Sequence, residues 1–457
     1  MFNLSLILVD SSYQSNTMAL SRVELISRKF IEPSFSTTPP PPGSYKLGLS
    51  DQLMNSVYIP IAFFYPNKLN NSTSPNNIPI DVLENSLSNV LASYYPLAGR
   101  EVDNLNIVCN NEMRATLIEA TIDCEMYQIS DNPNINAQDV VFPSGLPWKS
   151  KDDESLFVAQ LTHFNCGGKA LSLCMSHKVA DGLTLCNFAH DWADATKQQG
   201  DQNPLPSPLL NSASVLPPID DPSFKAEFGS FTSQENCITK RFVFHSSKLS
   251  QLKAKVSGET GITNPSRVEV VTALIHKCAH HAATSIVDQN SSKPSIFIQV
   301  VNMRPLINPP ISSNSIGNFT NFFGVPFFDT KDMTFPGLVS ELNKAKVQFY
   351  DKFKGVTAEE LRQEIMNSIE QMKMMSSGEA SLDQYICTSM CRYPFYDNDF
   401  GWGKPERVIF GASGVKNFII LIDGPNGEGI EAFVPLDEKV MNVFETDPEL
   451  LEFASFV

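Results

Sequence analysis

The chain has 457 residues, 42% hydrophobic and 18% charged, which suits two or three globular domains with sizeable cores. Its formal net charge of −16 repels phosphate backbones and argues against a nucleic-acid partner. No apolar run reaches the ~18 residues that cross a bilayer, so no membrane partner is expected, and nine scattered cysteines without a CxxC pair suit a reduced, cytoplasmic compartment.

The opening "MFNLSLILVDSSYQSNT" has a short apolar core but neither a basic leader nor a small-residue cleavage site, which weighs against a signal peptide. Residues 1–17 read as a disordered upstream extension, with the folded protein starting near Met18. The run Pro39–Pro42 is a stiff lead-in, and in a protein that is not secreted the sequon Asn71-Ser72-Thr73 stays unmodified. "SVYIPIAFFYP" (56–66) reads as a strand. Helical spacing of Val82, Leu83, Leu87, Val90 and Leu91 predicts a helix within 80–100, stopping at Pro96 and Gly99. Two apolar runs, 155–165 and 169–177, flank Cys166-Gly167-Gly168 and predict a hairpin. From Leu183 the period changes, and Leu185, Phe188, Ala189, Trp192 and Ala193 form one helical stripe.

Residues 200–237 are dense in Pro, Ser, Asn and Asp, show no sustained period and read as a crossover linker between halves 18–199 and 238–457. Beyond it come a strand at 239–246, a helix at about 266–285, a strand at 295–304, two helices within 334–376 and a hairpin at 417–436. Strands and helices mix in both halves, which makes the class α/β with two domains.

Within this frame "SHKVADG" (176–182) carries the chemistry. His177 ends a buried-looking strand, and Asp181 precedes a helix. Asp181 reads either as a simple helix N-cap beside a turn histidine or as the partner of a neutral imidazole aimed at a substrate hydroxyl. In the second case Arg304, which ends another buried strand in "VVNMRPLINPP", is the cation a buried carboxylate would pair with in bidentate fashion. Other signals are weaker. His276 and His280 stand one helical turn apart, as zinc ligands can, but lack an accompanying glutamate and read as a packed helix face, so no metal is expected. Met372, Met374 and Met375 read as gap-filling or surface residues. Gly167-Gly168 reads as a hairpin turn, and 346–355 as a solvated amphipathic face.

SHKVADG together with "DFGWGKP" (399–405) resembles the two signature motifs of the plant BAHD acyl-CoA-dependent acyltransferases. "LSDQ" (49–52), "YYPLAGR" (94–100), "FNCGGKAL" (164–171), "VNMRPLINPP" (301–310), "GN" (317–318) and "CRYPFYDNDFGWGKP" (391–405) extend the likeness from about Met18 to the C-terminus, and the wording is nearest to the family's alkaloid O-acetyltransferases. The resemblance implies a two-domain chloramphenicol-acetyltransferase-like fold, mixed sheets flanked by helices, with an active-site channel at the domain interface. It implies His177 as general base, Asp181 as its structural partner salt-bridged to Arg304, and Thr388 as a hydroxyl near the developing oxyanion. Asp399, Phe400, Gly401, Trp402 and Gly403 would support the fold around the channel. The partners implied are acyl-CoA, with acetyl-CoA preferred, as co-substrate and a small-molecule alcohol, taken up by a monomer that binds no cofactor. Three departures stand out: Ser176 replaces a second histidine, Pro305-Leu306 replace a basic pattern, and Met390 replaces a common tryptophan. Two other classes compete: a catalytically silent ligand- or protein-binding relative, and a peptide-condensing enzyme of the wider HxxxD superfamily. The absence of a GxSxG elbow or a papain-like cysteine signature fits direct transfer without an acyl-enzyme.

Overall fold

The structure, a computed structural model, describes residues 22–456 except 36–40, 42, 68–77, 134, 144–154, 199–206, 223, 225–236, 287–293, 328–333, 377–381 and 413–414. The 1–17 extension, Met18, most of Pro39–Pro42, the sequon at Asn71, parts of 200–237 and the side chains of Met372, Met374 and Met375 lie outside the described residues.

Three sheets organise the described chain. The first has the order β1 (Val23–Ile31), β6 (Ala115–Ile122), β7 (Phe157–Phe164), β8 (Lys169–Ser176), β3 (Tyr58–Tyr65) and β13 (Arg407–Phe410). The second runs β11 (Thr320–Phe327), β10 (Ser295–Asn302), β12 (Asp383–Ser389), β14 (Phe418–Asp423), β15 (Ile430–Asp437), β9 (Cys237–Phe244) and β16 (Ser455–Phe456). A small third sheet holds β2 (Gly43–Lys46), β5 (Asn106–Cys109) and β4 (Arg100–Glu101). Both large sheets mix parallel and antiparallel pairs; β6 and β7 run parallel, whereas β7 and β8 form the expected antiparallel hairpin. Its turn needs Gly167, whose φ of +77° suits glycine far better than a residue with a Cβ. All eight residues of β8 are buried, so the strand is covered on both faces and reads as a run without alternation.

The helix Gly182–Gln198 covers one of those faces through the stripe seen in the sequence. Phe188 and Trp192 meet Phe157 of β7 at ring distances of 4.7 and 6.1 Å, and Trp192 Nε1 donates to Ser86 on the helix Ile80–Ser93 at 3.1 Å. The chain's second half completes the first sheet, because β13 pairs antiparallel with β3. Residues 207–222 cross the seam: Leu209 bridges Ser315, and the short helix Ser212–Val215 sits beside the helix Leu49–Leu53. A third core of Leu49, Leu53, Met303, Phe319, Phe349 and Phe353 lies along that seam. In the 346–355 stretch Phe349 and Phe353 point into this core while Val347, Tyr350 and Lys352 face solvent.

The helix Arg267–Ser285 starts at a capping box in which Ser266 and Glu269 satisfy each other's backbone N–H. Its buried face carries His276 and His280, which pack against Tyr385, with His276 also against Phe297 and Phe327. Ser295 Oγ, 3.2 Å from His276 Nε2, is the ring's one polar neighbour among the described hydrogen bonds. Among the described residues no three metal-ligating side chains converge, and no helix is long and apolar enough to cross a membrane.

Burial, reinforced by the neighbouring His280, pushes the His276 imidazole down to about 3. The unfolded chain therefore binds one proton more than the folded one between about pH 6.5 and pH 3, and the stability contributed by this site is present above pH 6.5 and lost as pH falls. Urea unfolding at a series of pH values reads this as a slope of up to ~1.4 kcal/mol per pH unit from the one ring. His276→Phe flattens that slope; an unchanged acid limb in the variant counts against the assignment.

Candidate active site

Strand geometry aims the first functional side chain. β8 ends at Ser176, and the backbone then turns, with the Val179 N–H returning to the Ser176 carbonyl at 3.2 Å. His177 is gripped on both sides, its N–H donating to the Val57 carbonyl (2.8 Å) and its own carbonyl accepting from Asn318 Nδ2 (2.8 Å). The imidazole lines a cavity of about 330 Å³ and is half-buried. Burial lowers its proton affinity below the usual histidine range; the ring's own backbone carbonyl, the Asp181 carboxylate and the Asn318 side chain oppose that shift without cancelling it. A neutral imidazole facing a cavity is chemically fit to accept a proton near neutral pH.

Asp181 makes two sets of contacts at once, the helix cap and the ion pair with Arg304. Its Oδ1 caps the helix Gly182–Gln198 by accepting from Thr184 N (2.9 Å) and Thr184 Oγ1 (3.1 Å). The same carboxylate takes a bidentate grip from Arg304, Nη1 to Oδ2 at 2.6 Å and Nη2 to Oδ1 at 3.1 Å. Arg304 Nη2 also reaches the Ser315 and Gly317 carbonyls at 3.0 and 3.1 Å, and its guanidinium lies 4.7 Å from the Phe319 ring centroid. Both side chains are all but inaccessible, at 4% and 2% exposed. Burial works against the ionised Asp181, but the Arg304 charge and its hydrogen bonds prevail and hold the carboxyl below the usual range. Asp181 is thus fully occupied with protein partners.

Thr388 comes to the same cavity by the two-residue period of a strand. On β12, Ile386 and Thr388 face the cavity while Tyr385 and Cys387 point into the opposite core. On β10 and β14 the same split sends Ile298 and Ile420 to the cavity and Phe297 and Ile419 away from it. The other wall comes from the first sheet, through Tyr58, Pro60 and Phe410. The cavity therefore lies between the two large sheets, and among the described residues its lining includes no lysine or arginine. Met390, the departure from the common tryptophan, also lines it, and its Sδ would lie 2.6 Å from any Cβ placed on Gly182.

The DFGWG segment sits elsewhere. None of residues 399–403 lines the cavity. Asp399 Oδ1 accepts from Gly401 N and Gly403 N at 2.8 Å each, while Oδ2 meets Lys197 Nζ at 2.6 Å. Gly401 and Gly403 adopt φ of +92° and +87°, a tight double turn that disfavours a Cβ. The turn lets Phe400 and Trp402 enter the first core together, Phe400 against Trp192 at 5.2 Å and Trp402 against Tyr65 at 5.1 Å. The sequence-based candidates thus divide into a group converging at the cavity (His177, Asp181, Thr388, with Arg304 behind) and a packing group. Sequence reasoning assigned no role to Asn318 or Asp51, although both fall in stretches that drew attention, "GN" and "LSDQ".

Comparison with known proteins agrees with this geometry. Residues 21–451 match the model of the Transferase family. The chain is 38% identical to 17,18-epoxy-17-hydroxycur-19-ene N-malonyltransferase of Strychnos nux-vomica, over 97% of this chain and 92% of that protein. It is 40% identical to akuammiline synthase 1 of Alstonia scholaris, covering 95% of this chain and 98% of that one. The crystal structure of vinorine synthase superposes with a TM-score of 0.79 at 29% identity, over 95% of this chain and 99% of the other. A mixed α/β fold of the chloramphenicol-acetyltransferase type and a family match over nearly the whole sequence lead to one conclusion: the chain belongs to the BAHD acyl-CoA-dependent acyltransferases.

Proposed function

We propose that this acyltransferase moves the acetyl group of acetyl-CoA onto a hydroxyl of a plant alkaloid, with His177 as the general base. The observation that carries the reading is a neutral imidazole, on a backbone clamped at both its N–H and its carbonyl, facing an apolar cavity between the two sheets. With both substrates bound, His177 takes the hydroxyl proton as the oxygen attacks the thioester carbonyl; the imidazolium then protonates the departing thiolate. Thr388, on the cavity wall, offers a hydroxyl to the oxyanion of the tetrahedral intermediate. Asp181 and Arg304 fix the loop that carries the base. Positioning of two substrates in one site supplies much of the remaining acceleration. The nine free thiols support action in the reducing cytoplasm, and the chain works as a monomer.

The donor follows from charge. A malonyl group carries a free carboxylate that needs a cation, and the described lining offers none, whereas an acetyl group needs only apolar contact. A malonyl donor is the second reading, favoured by the name of the Strychnos relative.

Following thiol release from acetyl-CoA with a panel of hydroxylated alkaloids, His177→Ala should lower kcat by ~10²–10⁴-fold in a folded protein. A folded variant with near wild-type turnover would remove His177 from the role. The base form exists above the imidazole pKa, which lies below the ordinary 6.5, so kcat/KM should stay level as pH drops from 8 through 6.5 and decline only beneath it. An acid limb centred above 6.5 contradicts the lowered value. Asp181→Asn leaves Arg304 buried without its countercharge and should cost ~3–5 kcal/mol in urea unfolding, while Asp181→Asn with Arg304→Gln should cost less than the sum of the singles; strict additivity argues against a coupled pair. Run side by side, acetyl-CoA should outperform malonyl-CoA by at least ~10-fold in kcat/KM, the factor that ~1.4 kcal/mol sets, and the reverse order transfers the assignment to malonyl.

A further inference from the structure

A buried carboxylate unused by the mechanism stands behind the site. Asp51 is fully buried, and its two oxygens are saturated: Oδ2 accepts from Gly48 N (2.9 Å) and Ser212 Oγ (2.6 Å), and Oδ1 from Asn318 N (2.7 Å) and Asn318 Nδ2 (2.9 Å). These donors come from the first half, the crossover and the second half of the chain. Gly317 keeps the approach open, for a Cβ there would meet Ser212 Cβ at 2.8 Å.

The arrangement settles which way the Asn318 amide faces. Nδ2 has two protons and two neighbours that only accept, the Asp51 carboxylate and the His177 carbonyl. With both protons committed, Oδ1 is directed away from both. That oxygen is buried and has no hydrogen-bond partner, and His177 Nδ1 is likewise buried and unpartnered. The Asn318 side chain and the ring's own carbonyl, the one that Asn318 grips, both favour the protonated imidazole, against the effect of burial. The orphaned acceptor belongs to the side chain that holds the His177 carbonyl, and the orphaned potential donor to the ring of that same residue, so the two can pair on a small adjustment, as catalytic contacts do when substrate binds.

We propose that Asn318, oriented by Asp51, is a positioning residue that holds the proton of neutral His177 on Nδ1 and so leaves the Nε2 lone pair free toward the cavity. The proposal rests on His177 being the base in its use, though not in its test. Asn318 bears on two acceptors that could take Nδ1–H, its own Oδ1 and the His177 carbonyl that its Nδ2 anchors. The Asp51 charge prevents the amide from flipping, since a flip would set oxygen against oxygen.

Nitrogen-15 NMR of histidine-labelled protein at pH 8 tests this, with the His177 signals identified among the seven histidines by their loss in His177→Ala. Wild-type protein should show His177 as the Nδ1–H tautomer. In Asn318→Ala the ratio should move about tenfold toward Nε2–H, the factor set by one net buried hydrogen bond. Asp51→Asn, which keeps the side-chain volume and removes the charge, should move it the same way and guards against an Asn318→Ala chain that does not fold. In acetyl-CoA turnover the folded variants should lose kcat by ~10–100-fold, with KM for acetyl-CoA within about twofold of wild type. A wild-type Nε2–H tautomer, or an unchanged ratio in either folded variant, overturns the proposal. Loss of the general-base reading shows separately, as undiminished turnover in His177→Ala, and leaves the tautomer result to decide the role of Asn318.

Discussion

The ion pair between Asp181 and Arg304 is the constraint on which the rest of the site depends. Taking two charges out of water is expensive, and their attraction offsets the cost only where geometry is good and the remaining donors are satisfied. Here the geometry is good and Nη2 also reaches the Ser315 and Gly317 carbonyls, while the buried Nε–H has no partner; the strand end at Arg304, the loop at 315–319 and the helix at Gly182 are fixed to one another. Such a pair adds little net stability. What it adds is register: the loop bearing His177 has one arrangement in which both charges are met. Asn318, one residue beyond Gly317, is placed by the same network against the histidine's backbone.

Much of the fold was legible because burial imprints a period. The stripe of the 182–198 helix follows from it, while β8 showed as an unbroken buried run and the hairpin turn through its glycine at a positive φ. Elements with a weak imprint escaped: the helix Ser246–Thr260 buries only Leu249, Leu252 and Val256, and the strand Thr320–Phe327 carries Gly324 and Pro326, which suppress the strand signal. The edge strand Val23–Ile31 exposes Leu25, Ile26 and Phe30, so its apolar residues mark no inner face.

The site divides in the same way. His177 and Asp181 are four residues apart and show as a local motif, and Arg304 became a candidate through chemistry and resemblance. The contact of Asp51 with Asn318 spans 267 residues and joins two loops, where no periodicity operates. Beyond the stretches LSDQ and GN themselves, its sequence trace is the small or turn-forming residues at Gly48, Ser212 and Gly317, each of which makes sense only once the three segments are seen together. The polar clamp holds the backbone of His177 and the apolar lining faces its imidazole, so the residue is held by one environment and opens onto another.

The place of β13 has a consequence for how the protein is made. A chain emerging from the ribosome has delivered β3, β7 and β8 by residue 176, but the strand that closes the β3 edge follows only at Arg407–Phe410. For more than half of synthesis, therefore, β3 presents unpaired backbone groups on a strand rich in Ile, Phe and Tyr, the kind of edge that attracts foreign strands. Phe400 and Trp402, which finish the adjoining core, arrive just before β13. The amino-terminal half is consequently a poor candidate for independent folding, since an edge of its sheet is closed only by a strand from far along the chain.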